Sequence, residues 1–225
     1  MSPKAVLWDL DGTLVDSEEL HWRSWQHAMR AEGLPVTLDQ FKASFGQRNQ
    51  TILRHWLGSR ATAAEIERVA DAKEVEYRRL AAAHGLTLLA GAAEWLARLR
   101  AGGWKQAIAS SAPRLNVEAM LRALDLHHFF DAIVSSEDVA AGKPDPEVFL
   151  VAAAKLGVPA IRCIVVEDAA AGIEAARRAG MRSIGASRGA TLAADVFVTS
   201  LSDVTADAFE RLLPATATED TDCPP

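Results

Sequence analysis

Apolar residues along this chain follow two rhythms. The first is a set of short unbroken runs: AVLWDL (5–10), KQAIAS (105–110), DAIVSS (131–136), IRCIVVE (161–167), MRSIGAS (181–187) and DVFVT (195–199). Runs of this length without alternation predict strands covered on both faces. The second rhythm is helical. AAEWLARLRAGG sets Trp95, Leu96 and Leu99 on one side and ends in glycines, and RLNVEAMLRALDL repeats Leu115, Met120, Leu121 and Leu124. PEVFLVAAAKLG runs from Pro146 to Gly157, and AAAGIEAARRAG ends at Gly180. Proline near the start and glycine past the end are helix punctuation. Strand–helix alternation predicts an α/β fold built on a doubly wound parallel sheet.

One stretch breaks the alternation. Residues 17–88 read as helices with no convincing strand: SEELHWRSWQHAMRAEG, TLDQFKASFG, NQTILRHWLG and AAEIERVADAKEVEYRRLAAAHG. This is the pattern of a helical domain inserted after the first strand. The expected division is a core of 1–16 and 89–213, an inserted helical domain of 17–88 with linkers near 15–17 and 84–89, and a disordered tail at 214–225.

Composition narrows the function. The formal net charge is -6 and no basic run stands out, so nucleic acid and anionic membrane are not expected partners. No apolar run approaches the length of a membrane span, and no signal-type segment opens the chain. Of the two cysteines, Cys163 lies in a strand-like run and Cys223 in the tail, which disfavours a disulfide framework and fits a reducing cytoplasm.

Ligands of open α/β sheets sit beyond the carboxyl ends of the strands. Those ends carry Asp9 and Asp11, then Ser110 and Ser111, then Lys143 in AAGKPDPEVF, then Glu167 and Asp168. If the first strand runs through both aspartates, they share a face. Two carboxylates about 4 Å apart then repel by roughly 4 kcal/mol at an effective dielectric of about 20. A proton on one carboxyl or a cation between them relieves that. Acidic pairs from two strands suit Mg²⁺, and a hydroxyl and an ammonium suit phosphoryl oxygens.

Four segments in order, DLDGTLVD (9–16), IASS (108–111), GKPDPEVF (142–149) and VVEDAAAGI (165–173), resemble the signatures of the haloacid dehalogenase-like superfamily. The likeness is to its branch of helical-cap phosphatases and β-phosphoglucomutases. It implies a nucleophile at Asp9 and a general acid and base at Asp11. It implies Mg²⁺ held by Asp9, the Asp11 carbonyl and Asp168, with Glu167 either a direct ligand or one step removed. Ser110, Ser111 and Lys143 would grip phosphate. His21 in the first cap helix, with Arg48 and Asn49 in SFGQRNQT, would meet the substrate. The expected activity is a Mg²⁺-dependent phosphatase acting on a small phosphorylated metabolite, most simply a sugar phosphate, as a monomer. The alternative is a β-phosphoglucomutase-type isomerase. A non-catalytic module is disfavoured because the acid, hydroxyl and lysine set is complete.

Overall fold

The computed structural model describes residues 2–59, 61–189 and 191–214. The tail expected at 214–225 lies outside these residues beyond Pro214, and Cys223 with it. The chain runs β1 (Ala5–Trp8), α1 (Glu18–Ala31), α2 (Leu38–Ser44), α3 (Asn49–Leu57), α4 (Ala63–His84), α5 (Ala92–Ala101) and β2 (Lys105–Ala109). It continues α6 (Arg114–Ala123), β3 (Ala132–Val134), α7 (Glu147–Leu156), β4 (Cys163–Glu167), α8 (Ala170–Arg178), β5 (Arg182–Ala186), β6 (Val196–Val198) and α9 (Ala208–Leu212). Among the described residues, no helix is long and apolar enough to cross a membrane.

All six strands lie parallel in the order β3-β2-β1-β4-β5-β6. The order reverses direction at β1, which pairs with both β2 and β4. That is the switch point at which an open sheet gapes at its carboxyl end. The unbroken apolar run of β1 has the cause expected for it. Val6 and Trp8 pack into one core beneath α5, α6 and α9, while Ala5 and Leu7 pack into a second beneath α7 and α8. Every β1 side chain is buried.

The helices α1–α4 carry a third cluster of their own, built on Trp25, Met29, Phe41, Leu53 and Val69. Two strips of chain join this cap to the sheet, and they are hydrogen-bonded to each other. Leu89 N donates to Leu14 O at 2.9 Å and Asp16 N to Thr87 O at 2.9 Å.

One polar group is buried inside the first core. Gln106 of β2 accepts from Trp8 Nε1 at 3.0 Å and donates from Nε2 to Leu96 O at 3.0 Å. It thereby satisfies an indole N–H that has no route to water and adds a second donor to a carbonyl inside α5. Gln106→Met fills the space but leaves the indole N–H unpaired. At about 1–3 kcal/mol for a stranded buried group, the variant is expected to lose about 1–3 kcal/mol in urea unfolding. A loss below about 0.5 kcal/mol would show that the indole does not depend on the amide.

Candidate active site

The strand ladder of β1 stops at Trp8, short of the expected end at position 10. Asp9 N still donates to Val166 O at 3.0 Å. Leu10 is then drawn into the core, and the chain turns at Gly12, whose φ is +84°. The two aspartates therefore do not share a face as a continued strand would have required. Asp9 points at the sheet ends and Asp11 at the cap.

On the sheet side, the Lys143 ammonium lies 2.5 Å from Asp9 Oδ1 and 2.7 Å from Glu167 Oε1. All three side chains are buried. Glu167 uses its other oxygen to accept from Ala169 N at 2.7 Å. With both oxygens engaged, Glu167 is placed as the anchor of Lys143 rather than as a free metal ligand. Asp168 accepts from Thr13 Oγ1 at 3.2 Å and folds over Gly12. Burial pushes the Asp9 carboxyl up to about 7 against the pull of Lys143, and the charges of Glu167 and, least of all, Asp11 add to the rise. The repulsion between Asp9 and Asp11 expected from the sequence is thus a minor effect. Asp168 is also held well above the ordinary carboxylate range, first by burial and then by Glu167 and Asp9. Lys143 is raised, because its two carboxylates outweigh the burial that acts against its charge.

This cluster has a shortage of positive charge. Among the described residues, no three His, Cys, Asp or Glu side chains group closely enough to hold a metal by side chains alone. A zinc-type cage needs such a set. Mg²⁺ does not, since it uses one or two carboxylates and completes its shell with water and phosphate oxygens. Two carboxyls with raised affinity for protons, the buried Asp9 and the partly buried Asp168, fit such an ion.

On the cap side, Asp11 Oδ1 accepts from Ser17 Oγ at 2.7 Å and His21 Nε2 at 2.9 Å, with Tyr77 OH at 3.5 Å. The other ring nitrogen, His21 Nδ1, lies 2.9 Å from Lys73 Nζ. An ammonium has no acceptor, so Lys73 donates and Nδ1 accepts. The proton of a neutral His21 is then on Nε2, aimed at Asp11. The His21 ring stacks on Tyr77 with centroids 4.1 Å apart. Burial acts to raise the Asp11 carboxyl, but His21, Ser17 and Lys73 together hold it below its ordinary value. In this closed arrangement Asp11 is a carboxylate.

Lys73 also pairs with Glu74 at 2.7 Å. Glu74 accepts from Asn49 Nδ2 at 2.6 Å and, through its other oxygen, from Asn116 Nδ2 of α6. Asp9, Asp11, Ser110, Lys73, Gln47 and Asn49 are among the residues lining the cavity between cap and core, which encloses about 50 Å³.

Ser110 and Ser111 line the same cavity, and Ser110 Oγ accepts from Ala112 N at 3.0 Å. Asn49 lines it too. Arg48 does not. Its guanidinium turns to the loop after β3 and donates to the carbonyls of Ser136 at 2.7 Å, Val139 at 2.7 Å and Ala140 at 3.0 Å. A Cβ on Gly142 would come within 2.7 Å of the Arg48 chain, so the bare backbone there lets the arginine pass. The substrate contact expected of Arg48 from sequence is not what the geometry provides. Lys73, Glu74, Tyr77 and Thr13 escaped the sequence reading. Three of them carried a signal: Ile66, Val69, Ala70, Lys73, Glu74, Tyr77 and Leu80 are the buried stripe of α4. Two charges in the apolar phase of a helix ask for an explanation.

A capped parallel α/β core, with carboxylates and a lysine gathered at the ends of β1 and β4, defines a hydrolase-type architecture with its site between cap and sheet. The profile of the haloacid dehalogenase-like hydrolase family matches residues 6–186, and the chain belongs to that family. It is 36% identical over 211 residues to β-phosphoglucomutase of Bacillus subtilis, covering 90% of this chain and 92% of that one. It is 31% identical over 185 residues to a phosphorylated carbohydrates phosphatase of Thermotoga maritima, covering 80% and 83%. Among solved structures, CbbY of Rhodobacter sphaeroides in complex with phosphate aligns with a TM-score of 0.80 at 28% identity, over 89% of this chain and 96% of that one.

Two predictions follow from the geometry. A Cβ on Gly12 would stand 2.2 Å from Asp168 Oδ2 and 2.9 Å from Phe45, at a φ that disfavours side chains. Gly12→Ala should displace Asp168, with a strain cost of about 1–3 kcal/mol in thermal unfolding and a loss of phosphate release well beyond that of a simple destabilisation. Unchanged turnover would show that the packing of Asp168 on Gly12 is irrelevant to the site. The second concerns the loop that holds Arg48. Burial works to raise the Asp138 carboxyl, yet Ser135, Lys155 and Arg114 bring it from 3.8 down to about 2. A depressed folded value gives stability that is present above 3.8 and lost as pH falls toward 2. Asp138→Asn should therefore cost about 1 kcal/mol near neutral pH, after allowance for solvent screening, and the gap from wild type should close in urea melts taken at progressively lower pH.

Proposed function

We propose that this protein is a Mg²⁺-dependent phosphatase that hydrolyses the phosphate monoester of a small sugar or polyol through an aspartyl-phosphate on Asp9. The observation that carries the proposal is the buried Asp9 at the floor of the cavity, fixed by Lys143 at 2.5 Å, with Asp11 held separately by the cap. One carboxylate is positioned to bond and the other to exchange protons.

In the first half-reaction an Asp9 oxygen forms a bond to phosphorus as the ester P–O bond breaks, and the departing oxygen takes a proton that Asp11 acquires from solvent before His21 and Tyr77 close on it. In the second, water gives a proton to Asp11 and its oxygen attacks phosphorus, breaking the bond to Asp9 and releasing inorganic phosphate. Lys143, Ser110 and Ser111 face the charged oxygens throughout. Because His21 and Tyr77 reach Asp11 from the cap, the proton affinity of Asp11 responds to cap position. With both donors in place it favours the carboxylate, the form that accepts the proton of water. A Mg²⁺ would be held by Asp9, the Asp11 carbonyl and Asp168, and when bound it supplies charge neutralisation for the phosphoryl oxygens.

A second reading rests on the 36% identity to the Bacillus β-phosphoglucomutase: an isomerase using the same aspartyl-phosphate. A panel of sugar and polyol phosphates with Mg²⁺ should show phosphate release from at least one hexose or pentose phosphate. β-Glucose 1-phosphate with a bisphosphate activator separates the two readings, since glucose 6-phosphate formed without inorganic phosphate would favour the isomerase. Asp9→Asn should lower kcat by at least about 10³-fold with an unchanged melting profile. Full activity in that variant would rule out Asp9 as the nucleophile.

A further inference from the structure

The two ends of the cavity differ in charge. The sheet end is built for a phosphoryl group. At the cap end, the only lysine or arginine among the described lining residues is Lys73, and it is paired with Glu74 at 2.7 Å. Both are buried, with exposures of 2% and 5%. Arg48 is committed to three backbone carbonyls, and Arg78 of α4 to Asn116 Oδ1 at 2.8 Å. We infer that Glu74 determines specificity: by cancelling the charge of Lys73 it makes the cap end neutral, so that the site takes monophosphates with an uncharged polyol tail and rejects bisphosphates. This inference rests on the phosphatase reading above.

The remaining hydrogen-bonding capacity agrees with it. Lys73 has three donors, and His21 and Glu74 use two of them. Asn49 gives one N–H to Glu74 and keeps its carbonyl oxygen, and Gln47 lines the same end. One donor and two amides among Phe41, Phe45, Trp25 and Ile52 match a hydroxyl-bearing carbon chain. A second phosphate would shed its hydration there without an unpaired cation to receive it. The same neutrality works against isomerisation. Transfer from an aspartyl-phosphate to a sugar monophosphate yields a bisphosphate, which the cap end would have to hold.

The test is a ratio of kcat/KM for matched pairs, fructose 1-phosphate against fructose 1,6-bisphosphate and glucose 6-phosphate against glucose 1,6-bisphosphate, assayed with Mg²⁺. The wild type should favour the monophosphate by at least about tenfold. Glu74→Gln keeps the shape and one accepting oxygen for Asn49 and Lys73, gives up the acceptor that Asn116 uses, and frees the Lys73 charge. It should raise the bisphosphate ratio by about tenfold, and Lys73→Met/Glu74→Gln should return it to the wild-type value. Equal use of both esters by an active wild type overturns the inference, and so does an unmoved ratio in folded Glu74→Gln. If Glu74→Gln fails to fold by its thermal melt, Lys73→Met decides, because it leaves the Glu74 charge unbalanced. That variant should lower the bisphosphate ratio, and an unmoved ratio overturns the inference. Failure of the phosphatase reading looks different: no phosphate is released from any ester, p-nitrophenyl phosphate included, and the inference falls with it.

Discussion

The site depends on one ammonium in a dry place. Parallel pairing of β1 with β4 sets Trp8 beside Val166, so the next residues out, Asp9 and Glu167, emerge as neighbours. Asp168 follows at once, and all of this lies under the cap. Acidic groups so placed would take up protons or separate. Lys143 prevents this by bonding to the first two at 2.5 and 2.7 Å. Removing Lys143 from this buried set would leave its carboxylates uncompensated, at a cost of about 3–5 kcal/mol. The register of the sheet brings the acids together, and a loop from the far side of β2 supplies the charge that lets them stay. What Lys143 leaves unbalanced lies chiefly at Asp168, whose carboxyl is held well above the ordinary range.

Asp11 lies one residue beyond Leu10 and belongs to a different electrostatic neighbourhood. The turn at Gly12 sends its carboxylate toward α1 and α4, and a single oxygen receives Ser17, His21 and Tyr77. Ser17 sits at the junction of core and cap, and the other two belong to the cap. In the proposed reaction, closure and proton exchange would therefore share an atom. Adjacent carboxylates acquire opposite shifts here, Asp9 upward and Asp11 downward, which is how two chemically identical groups are given distinct tasks.

Much of this was legible in the sequence. Unbroken apolar runs located the six strands because both faces of the sheet are covered, and strand ends located Asp9, Ser110, Lys143, Glu167 and Asp168 because open sheets bind beyond their carboxyl edges. The helical insertion stood out because its period differs from that of the strands. Other features were hidden for physical reasons. Where β1 stops depends on Leu10 being drawn into the core, which no local propensity encodes. Arg48 looks like a phosphate ligand until the loop at 136–140 is seen to present it with three carbonyls. Glu74 acquires Asn116 as a partner only when cap and core meet, a contact between residues 42 apart.

The Lys73–Glu74 pair also bears on what the cap is for. Both residues sit in the phase of α4 that otherwise carries Ile66, Val69, Ala70, Tyr77 and Leu80 into the interior. Two apolar side chains there would serve the cap cluster at least as well, since a buried ion pair rarely repays its desolvation. Stability alone does not account for the pair. Its position beside His21 does: Lys73 fixes the imidazole tautomer that donates to Asp11, and Glu74 removes the net charge which that lysine would otherwise impose on the cavity. A cap required only to exclude water could be apolar throughout. This one keeps a balanced pair of charges within hydrogen-bond reach of the proton-exchanging apparatus, and so it both orients that apparatus and limits the charge of what can lie against it.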